Sequence, residues 1–285
     1  MNPTATALRR RSLGRLAAIA IAPFLALNAC GVLQSSATGT IKTAVAGGKS
    51  AVISVENSNI EVIKDPNASG VEVTAEVRCY GDDQAEADAR LKATTLVAQS
   101  DADGKVQITV SIPKRKTTGW ININSDVTHV TVRAADLSGI VATTSNGTVT
   151  IGAFSGEAKL ESSNGSIVVN GHTGSVNAMT SNGSIDVRGA SSVIAESSNG
   201  SISVVLGEGA TGDLDLETSN GSVTLDLSPA WQGTLSADTS LGSVNLSGGT
   251  VTGSDDSKTM IVGDATKAKA TIDTSNGRII VRKAK

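Results

Sequence analysis

From Ile140 onward the chain runs in short alternations of apolar and polar residues, broken again and again by one tripeptide. Ser-Asn-Gly occupies 145–147, 163–165, 181–183, 198–200, 219–221 and 275–277, and Ser240-Leu241-Gly242 keeps the frame with the asparagine replaced. Four columns around it are apolar in every copy. Before the tripeptide stand Ile140, Ala158, Val176, Val193, Leu214, Leu235 and Ala270, and two residues later Ala142, Leu160, Ala178, Ala195, Leu216, Ala237 and Ile272. After it come Val149, Ile167, Ile185, Ile202, Val223, Val244 and Ile279, then Ile151, Val169, Val187, Val204, Leu225, Leu246 and Val281. A spacing of two on each side of a turn marks strands with one buried face.

Two topologies fit that alternation. Asn-Gly between alternating strands signals a tight hairpin, because a type I′ turn needs positive φ at both central residues. The rival is a parallel coil in which identical turns stack. Asn146, Asn164, Asn182, Asn199 and Asn220 follow one another at steps of 18, 18, 17 and 21 residues. A hairpin explains Asn-Gly but demands neither that step nor four fixed apolar columns. A coil demands both, since each turn buries its apolar residues against the turns above and below. The expected fold is therefore all-β, a single-stranded parallel β-helix or β-solenoid over residues 136–285.

Residues 41–135 lack the clean repeat and read as a β-rich cap over one end of the stack. Ala51 to Val55 and Ile60 to Ile63 flank Asn57-Ser58-Asn59, a degenerate first turn. The Ala-rich segment 83–99 is the one expected helix, with Asp82 or Asp83 to cap it and Leu91, Leu96 and Val97 to pack it. Within the repeats, Pro229 to Gly233 widens one turn, and residues 248–267 interrupt the stack before its final unit. Arg282, Lys283 and Lys285 are expected at the terminal edge, where charge discourages further pairing.

Residues 1–29 read as a lipoprotein signal peptide. Arg9, Arg10, Arg11 and Arg15 precede an apolar run from Leu16 to Ala29 that is short for a membrane span. Leu27-Asn28-Ala29-Cys30 resembles a bacterial lipobox, which implies cleavage before Cys30 and lipid on its thiol. Residues 30–40 are then a small, polar tether. The chain is expected outside the cytoplasm, anchored by lipid to the cell membrane or outer membrane.

Composition narrows the chemistry. Aromatic residues are 2% of the chain, which suits thin coils filled by Val, Ile, Leu and Ala better than a globular core. A formal net charge of −3 argues against a nucleic-acid partner. With Cys30 lipidated, Cys79 has no partner and reads as a small buried hydrophobe. His129 and His172 stand in no metal-ligand spacing, and no nucleophile elbow or phosphate loop occurs, so no catalysis is expected. Two columns remain as candidates. Asn146, Asn164, Asn182, Asn199, Asn220 and Asn276 are placed to form a ladder of side-chain amides along the stack. Glu161, Glu196, Glu217, Asp238 and Asp273 each follow an inward residue and so face outward, about 4.8 Å apart from turn to turn. Such a row could recruit divalent cations such as calcium, or a cationic surface, or simply be screened by salt.

Lipobox, β-rich cap and repeated Ser-Asn-Gly-x-(Ile/Val)-x-Val together resemble the bacterial putative adhesin family. The similarity covers about residues 40–285 and rests chiefly on the repeats from Thr143 to Val281. The resemblance implies a right-handed single-stranded β-helix and carries over no functional residues. It points to a binding module for an envelope polysaccharide or a cell-surface protein. An envelope-internal scaffold or stress-response component is the alternative, and a polysaccharide-active β-helix enzyme the second.

Overall fold

The computed structural model describes residues 35–115 and 125–283. The leader, Cys30, the first part of the tether and Lys285 lie outside the described residues. In chain order the first strands are β1 (Ser35–Ala46), β2 (Ser50–Val55), β3 (Ser58–Lys64) and β4 (Gly70–Gly81). Helix α1 (Gln84–Ala93) follows, then β5 (Thr95–Ser100), β6 (Lys105–Ser111) and β7 (Val127–Ala134). The repeat region supplies β8 (Gly139–Thr144), β9 (Val149–Ile151), β10 (Glu157–Ser162), β11 (Ile167–Asn170), β12 (Ser175–Thr180) and β13 (Ile185–Arg188). It continues with β14 (Ser192–Ser197), β15 (Ile202–Val205), β16 (Leu214–Asn220) and β17 (Val223–Leu227). The last elements are β18 (Gly233–Ser247), β19 (Thr250–Gly253), β20 (Ser257–Val262) and β21 (Lys269–Lys283). All the described strands join one mixed sheet.

Each Ser-Asn-Gly unit contributes a strand before the tripeptide and a strand after it. Both pair in parallel with their counterparts in the neighbouring unit: β8 with β10, β10 with β12, β12 with β14 and β14 with β16 on one side. On the other side β9, β11, β13, β15 and β17 pair in the same way. The registers align the apolar columns residue for residue, Ile167 with Ile185 and Ile185 with Ile202. All four columns point inward, and Ile140, Leu160, Ile185 and Leu225 are almost wholly buried. Because side chains alternate, a one-residue slip would expose every one of them, so the register is held by the core itself.

The expectation of a purely parallel structure is corrected at both ends. In the N-terminal block β4 runs antiparallel to β1 and β7, and β5 antiparallel to β6. Residues 35–40, read as tether, belong to β1 and pair with β4 from Gly81 to Glu76. The helix stops at Ala93, and the remainder of the expected segment turns into β5, which carries Leu96 and Val97 in a strand. Asp83 caps α1 by accepting the Glu86 N–H. The boundary at 135 also moves: β2 and β3 pair in parallel with β8 and β9 on one side and with β6 and β7 on the other, so the segment around Asn57 lies within the stack rather than over it.

The second correction concerns order. The final unit, β21, does not lie at the end of the stack. It sits between β16–β17 and β18, pairing in parallel with both. Unit β18, which precedes it in the chain, is therefore outermost. The antiparallel strand β20 covers the first half of β18, and β19 pairs with β20. Arg282 and Lys283 consequently lie inside the stack rather than guarding its edge. Arg282 pairs with Asp226 at 2.8 Å, and Lys283 Nζ donates to the Trp231 carbonyl at 2.7 Å.

Candidate functional site

The tripeptide edge of the stack is built from three neighbouring columns with different tasks. Innermost is a row of buried hydroxyls, Thr144, Ser162, Thr180, Ser197, Thr218, Thr274 and Thr239. Each donates to a carbonyl of the adjacent unit, as Ser162 Oγ does to Gly147 (3.0 Å) and Thr218 Oγ1 to Gly200 (2.8 Å). These bonds satisfy turn carbonyls that the strand ladders leave over. Next come the glycines. A Cβ on Gly183 would lie 2.2 Å from the Gly165 carbonyl oxygen, and one on Gly165 1.9 Å from that of Gly147. Glycine is required here by the approach of one backbone to the next. Of the tripeptide glycines only Gly147 has a positive φ, and Asn57 is the sole described non-glycine that does, so the turns are not of type I′.

The asparagines form the third column. Asn164 Nδ2 donates to Asn146 Oδ1 (2.8 Å), Asn182 to Asn164 (2.9 Å), Asn199 to Asn182 (3.0 Å) and Asn220 to Asn199 (3.0 Å). At one end Asn146 donates to Asn57, and at the other Asn276 donates to Asn220 at 2.9 Å, even though 56 residues separate that last pair in the chain. Leu241 stands beyond Asn276, where the ladder ends, and is 71% exposed. Substituting Asn182→Leu breaks two amide bonds and is expected to cost roughly 1–3 kcal/mol, at about 0.5–1.5 per bond. Asn276→Leu breaks one and should cost half as much. Equal Tm losses for the two variants would show that the ladder carries no stability of its own.

The acidic column lies beside this edge, in an order the chain does not show. Adjacent units place Glu196, Glu217, Asp273 and Asp238 side by side in that sequence, while Met179 separates Glu161 from them. Glu161 is paired with Lys159 at 3.0 Å. Asp273, half-buried between Glu217 and Asp238, has its carboxyl pushed above the ordinary 3.8 by burial, and then by Asp238, Glu217 and Asp215. A raised folded-state pKa means that the stabilising contribution is complete below pH 3.8 and is lost as pH rises through the folded value. Asp273→Asn is therefore expected to melt higher than the parent at pH 7 and level with it below pH 3.8. A lower melting temperature at pH 7 would mean that the carboxylate has a stabilising partner.

These residues line a shallow trough along the stack. One part, about 480 Å³, lies among Glu161, Ser163, Ser181, Glu196 and Ser198. A second, about 350 Å³, continues it from Glu217 to Asp273, Asp238 and Asp256. Hydroxyls thus recur once per unit along this edge, with a carboxylate beside them in every unit from Glu161 on except that of Met179. Among the described residues no group of three or more His, Cys, Asp or Glu side chains is placed to hold a metal ion.

The other candidates fall elsewhere. His129 faces Glu61 at 3.7 Å on the N-terminal block, whereas His172 is buried with Nε2 2.8 Å from the Gly156 carbonyl. Cys79 is buried beside Thr94, and burial raises its thiol pKa, which keeps it unreactive. A buried pair that pattern reading missed, Arg90 with Asp126, ties α1 to the strands, and Arg90 also donates to the Pro113 carbonyl. An amphipathic pattern cannot announce it, because a lone arginine on a short helix reads as solvated. No described helix is long and apolar enough to cross a membrane.

No family model and no curated protein matches the chain. Solved structures do. A putative cell adhesion protein from Clostridium sporogenes ATCC 15579 is similar over 87% of this chain and 100% of its own, at 11% identity and a TM-score of 0.34. A putative adhesin from Bacteroides fragilis NCTC 9343 is similar over 86% and 97%, at 13% identity and a TM-score of 0.38. A putative lipid binding protein from Parabacteroides distasonis ATCC 8503 is similar over 85% and 96%, at 11% identity and a TM-score of 0.29. Likeness this loose transfers neither partner nor activity. The name of the family that the repeats resemble is also carried by the Bacteroides fragilis structure and by structures from Parabacteroides merdae ATCC 43184 and Parabacteroides distasonis ATCC 8503.

Proposed function

We propose that the chain is a non-catalytic binding module of the cell envelope, held to a membrane through lipid on Cys30. Its stacked units are read as one right-handed β-solenoid, and its partner as a repetitive surface, an envelope polysaccharide or a cell-surface protein. The observation that carries this reading is the trough, in which Ser163, Ser181, Ser198 and Ser219 recur once per unit, with Glu161, Glu196 and Glu217 beside three of them and Met179 beside Ser181. A flexible polymer with a regular repeat can engage several weak sites on such an edge at once, and the sites add through effective concentration.

The test is co-sedimentation of the full chain with isolated envelope polysaccharide. A trough-filling pair, Ser181→Trp with Ser198→Trp, is expected to reduce binding at least tenfold, while Ser203→Trp, outward on β15 beyond the turn, leaves it unchanged. Binding indifferent to the filled trough would sink the assignment of the site. Cys30→Ser is expected to move the chain out of the membrane fraction, and retention there would remove the lipid anchor from the proposal.

A further inference from the structure

The place of β21 is the least ordinary feature of the sheet. A strand that follows both of its neighbours in the chain must enter a gap they leave open, or those neighbours close on each other first. Here both outcomes fit the same columns. Leu216, Thr218, Gly221, Val223 and Leu225 of β16–β17 meet Ile272, Thr274, Gly277, Ile279 and Val281 of β21. Those in turn meet Ala237, Thr239, Gly242, Val244 and Leu246 of β18 or its flanks. The step from Asn220 to Leu241 is 21 residues, the same as that from Asn199 to Asn220, so β18 has the chain length to stack directly on β17.

What selects the observed order is a small set of contacts. With β21 inserted, Asn276 continues the amide ladder from Asn220 and Leu241 sits outside it, whereas direct stacking of β18 would seat Leu241 in mid-ladder. Arg282 meets Asp226, and the β21 backbone N–H of Lys269 donates to Asp213 at 2.8 Å. The slot is thus a built acceptor for one strand. It is parallel on both walls, lined by inward apolar positions, and selective at Asn220, Asp226 and Asp213. Nothing in that lining distinguishes this chain's own β21 from the identical strand of another copy.

We propose that the slot between β17 and β18 exchanges strands, accepting β21 of a second copy and so linking molecules of this protein edge to edge. Apart from the hinge bonds of Asp264 N–H to Gln232 and of Thr234 Oγ1 to the Ala265 carbonyl, the link costs no contact that the single molecule makes, because the incoming strand repeats every pairing of the outgoing one, which is the general basis of swapped assemblies. Residues 263–268, between β20 and β21, are the hinge, and they are exposed but for Ala268. This role is independent of what the trough binds.

Thr224 of β17 and Ile280 of β21 are partners in the ladder, and both are part-exposed, so they report the insertion. Full-length chains bearing Thr224→Cys or Ile280→Cys, with different tags, are coexpressed and treated with a short thiol cross-linker. The expected result is a covalent product carrying both tags. Pairs of chains with cysteine at the same one of these positions give none. The double variant in one chain is expected to cross-link internally, which verifies the slot. Internal cross-linking with no mixed product overturns exchange, and failure of the double variant to cross-link either within or between chains overturns the insertion itself.

Discussion

Replacing Trp231 with alanine is expected to lower the melting temperature by roughly 6–20 °C, the largest loss from any single side chain among the described residues. Trp231 is fully buried and is the bulkiest such side chain among the described residues. Truncating such a residue costs about 3–5 kcal/mol through lost transfer energy and the cavity left behind. A chain of this size loses about 2–4 °C per kcal/mol. The position explains why relaxation cannot refill the space. Residues 228–232 carry the chain from β17 past the level later filled by β21, and Trp231 plugs that corner against the loop before β16. Its Nε1 donates to the Gly212 carbonyl at 3.0 Å, and Ser228 Oγ donates to Ala210 at 2.7 Å. Trp231→Phe keeps most of the volume and loses the indole bond, so it should cost only about 1–3 kcal/mol. Thermal melts of the two variants separate cavity from hydrogen bond. An alanine variant that melts within two or three degrees of the parent would show that the corner closes by itself.

The second large effect is Gly183→Ala, a change of one methyl group. The added carbon would meet the Gly165 carbonyl oxygen at 2.2 Å and its carbon at 2.5 Å, both backbone atoms of a unit fixed by ladders on either side. Neither can turn away as a side chain could, so the units must part. Overpacking of this kind costs about 1–3 kcal/mol and sometimes more, or roughly 2–12 °C in melting temperature. Gly209→Ala is the control, since a Cβ there meets nothing within 4 Å and φ is not in the left-handed region. It is expected to be neutral or slightly stabilising by limiting the unfolded chain. If both substitutions behave alike, close approach is not why the tripeptide needs glycine.

The two glycines show what a sequence pattern can and cannot reveal. A glycine at one place in every unit was legible as a requirement, but its cause was not. Positive φ and backbone contact call for the same residue, and only the distance between units separates them. The asparagine column was legible to the level of its amide ladder, because identical side chains stacked at one spacing have little else to bond with. The acidic column was legible as outward-facing. Its true neighbours were not, because Asp273 follows Asp238 in the chain yet stands between it and Glu217 in the sheet. The N-terminal block was the least legible. Its antiparallel strands β1, β4 and β5 follow no repeat, and the buried Arg90–Asp126 pair is a contact between elements that no local pattern records.

By itself, then, the sequence determined the unit: its length, the four inward columns, and the asparagine and glycine at the turn. Alternation and a fixed step leave one way to bury those columns. The order of the last units was beyond it. Units 233–247 and 269–283 carry the same columns at the same spacing, and hydrophobic burial is blind to which stacks on which. Only the assembled structure ranks them, through contacts that exist in one order alone. Asn276 prolongs the ladder from Asn220, Arg282 reaches Asp226, and β20 folds back over the β18 that remains outside.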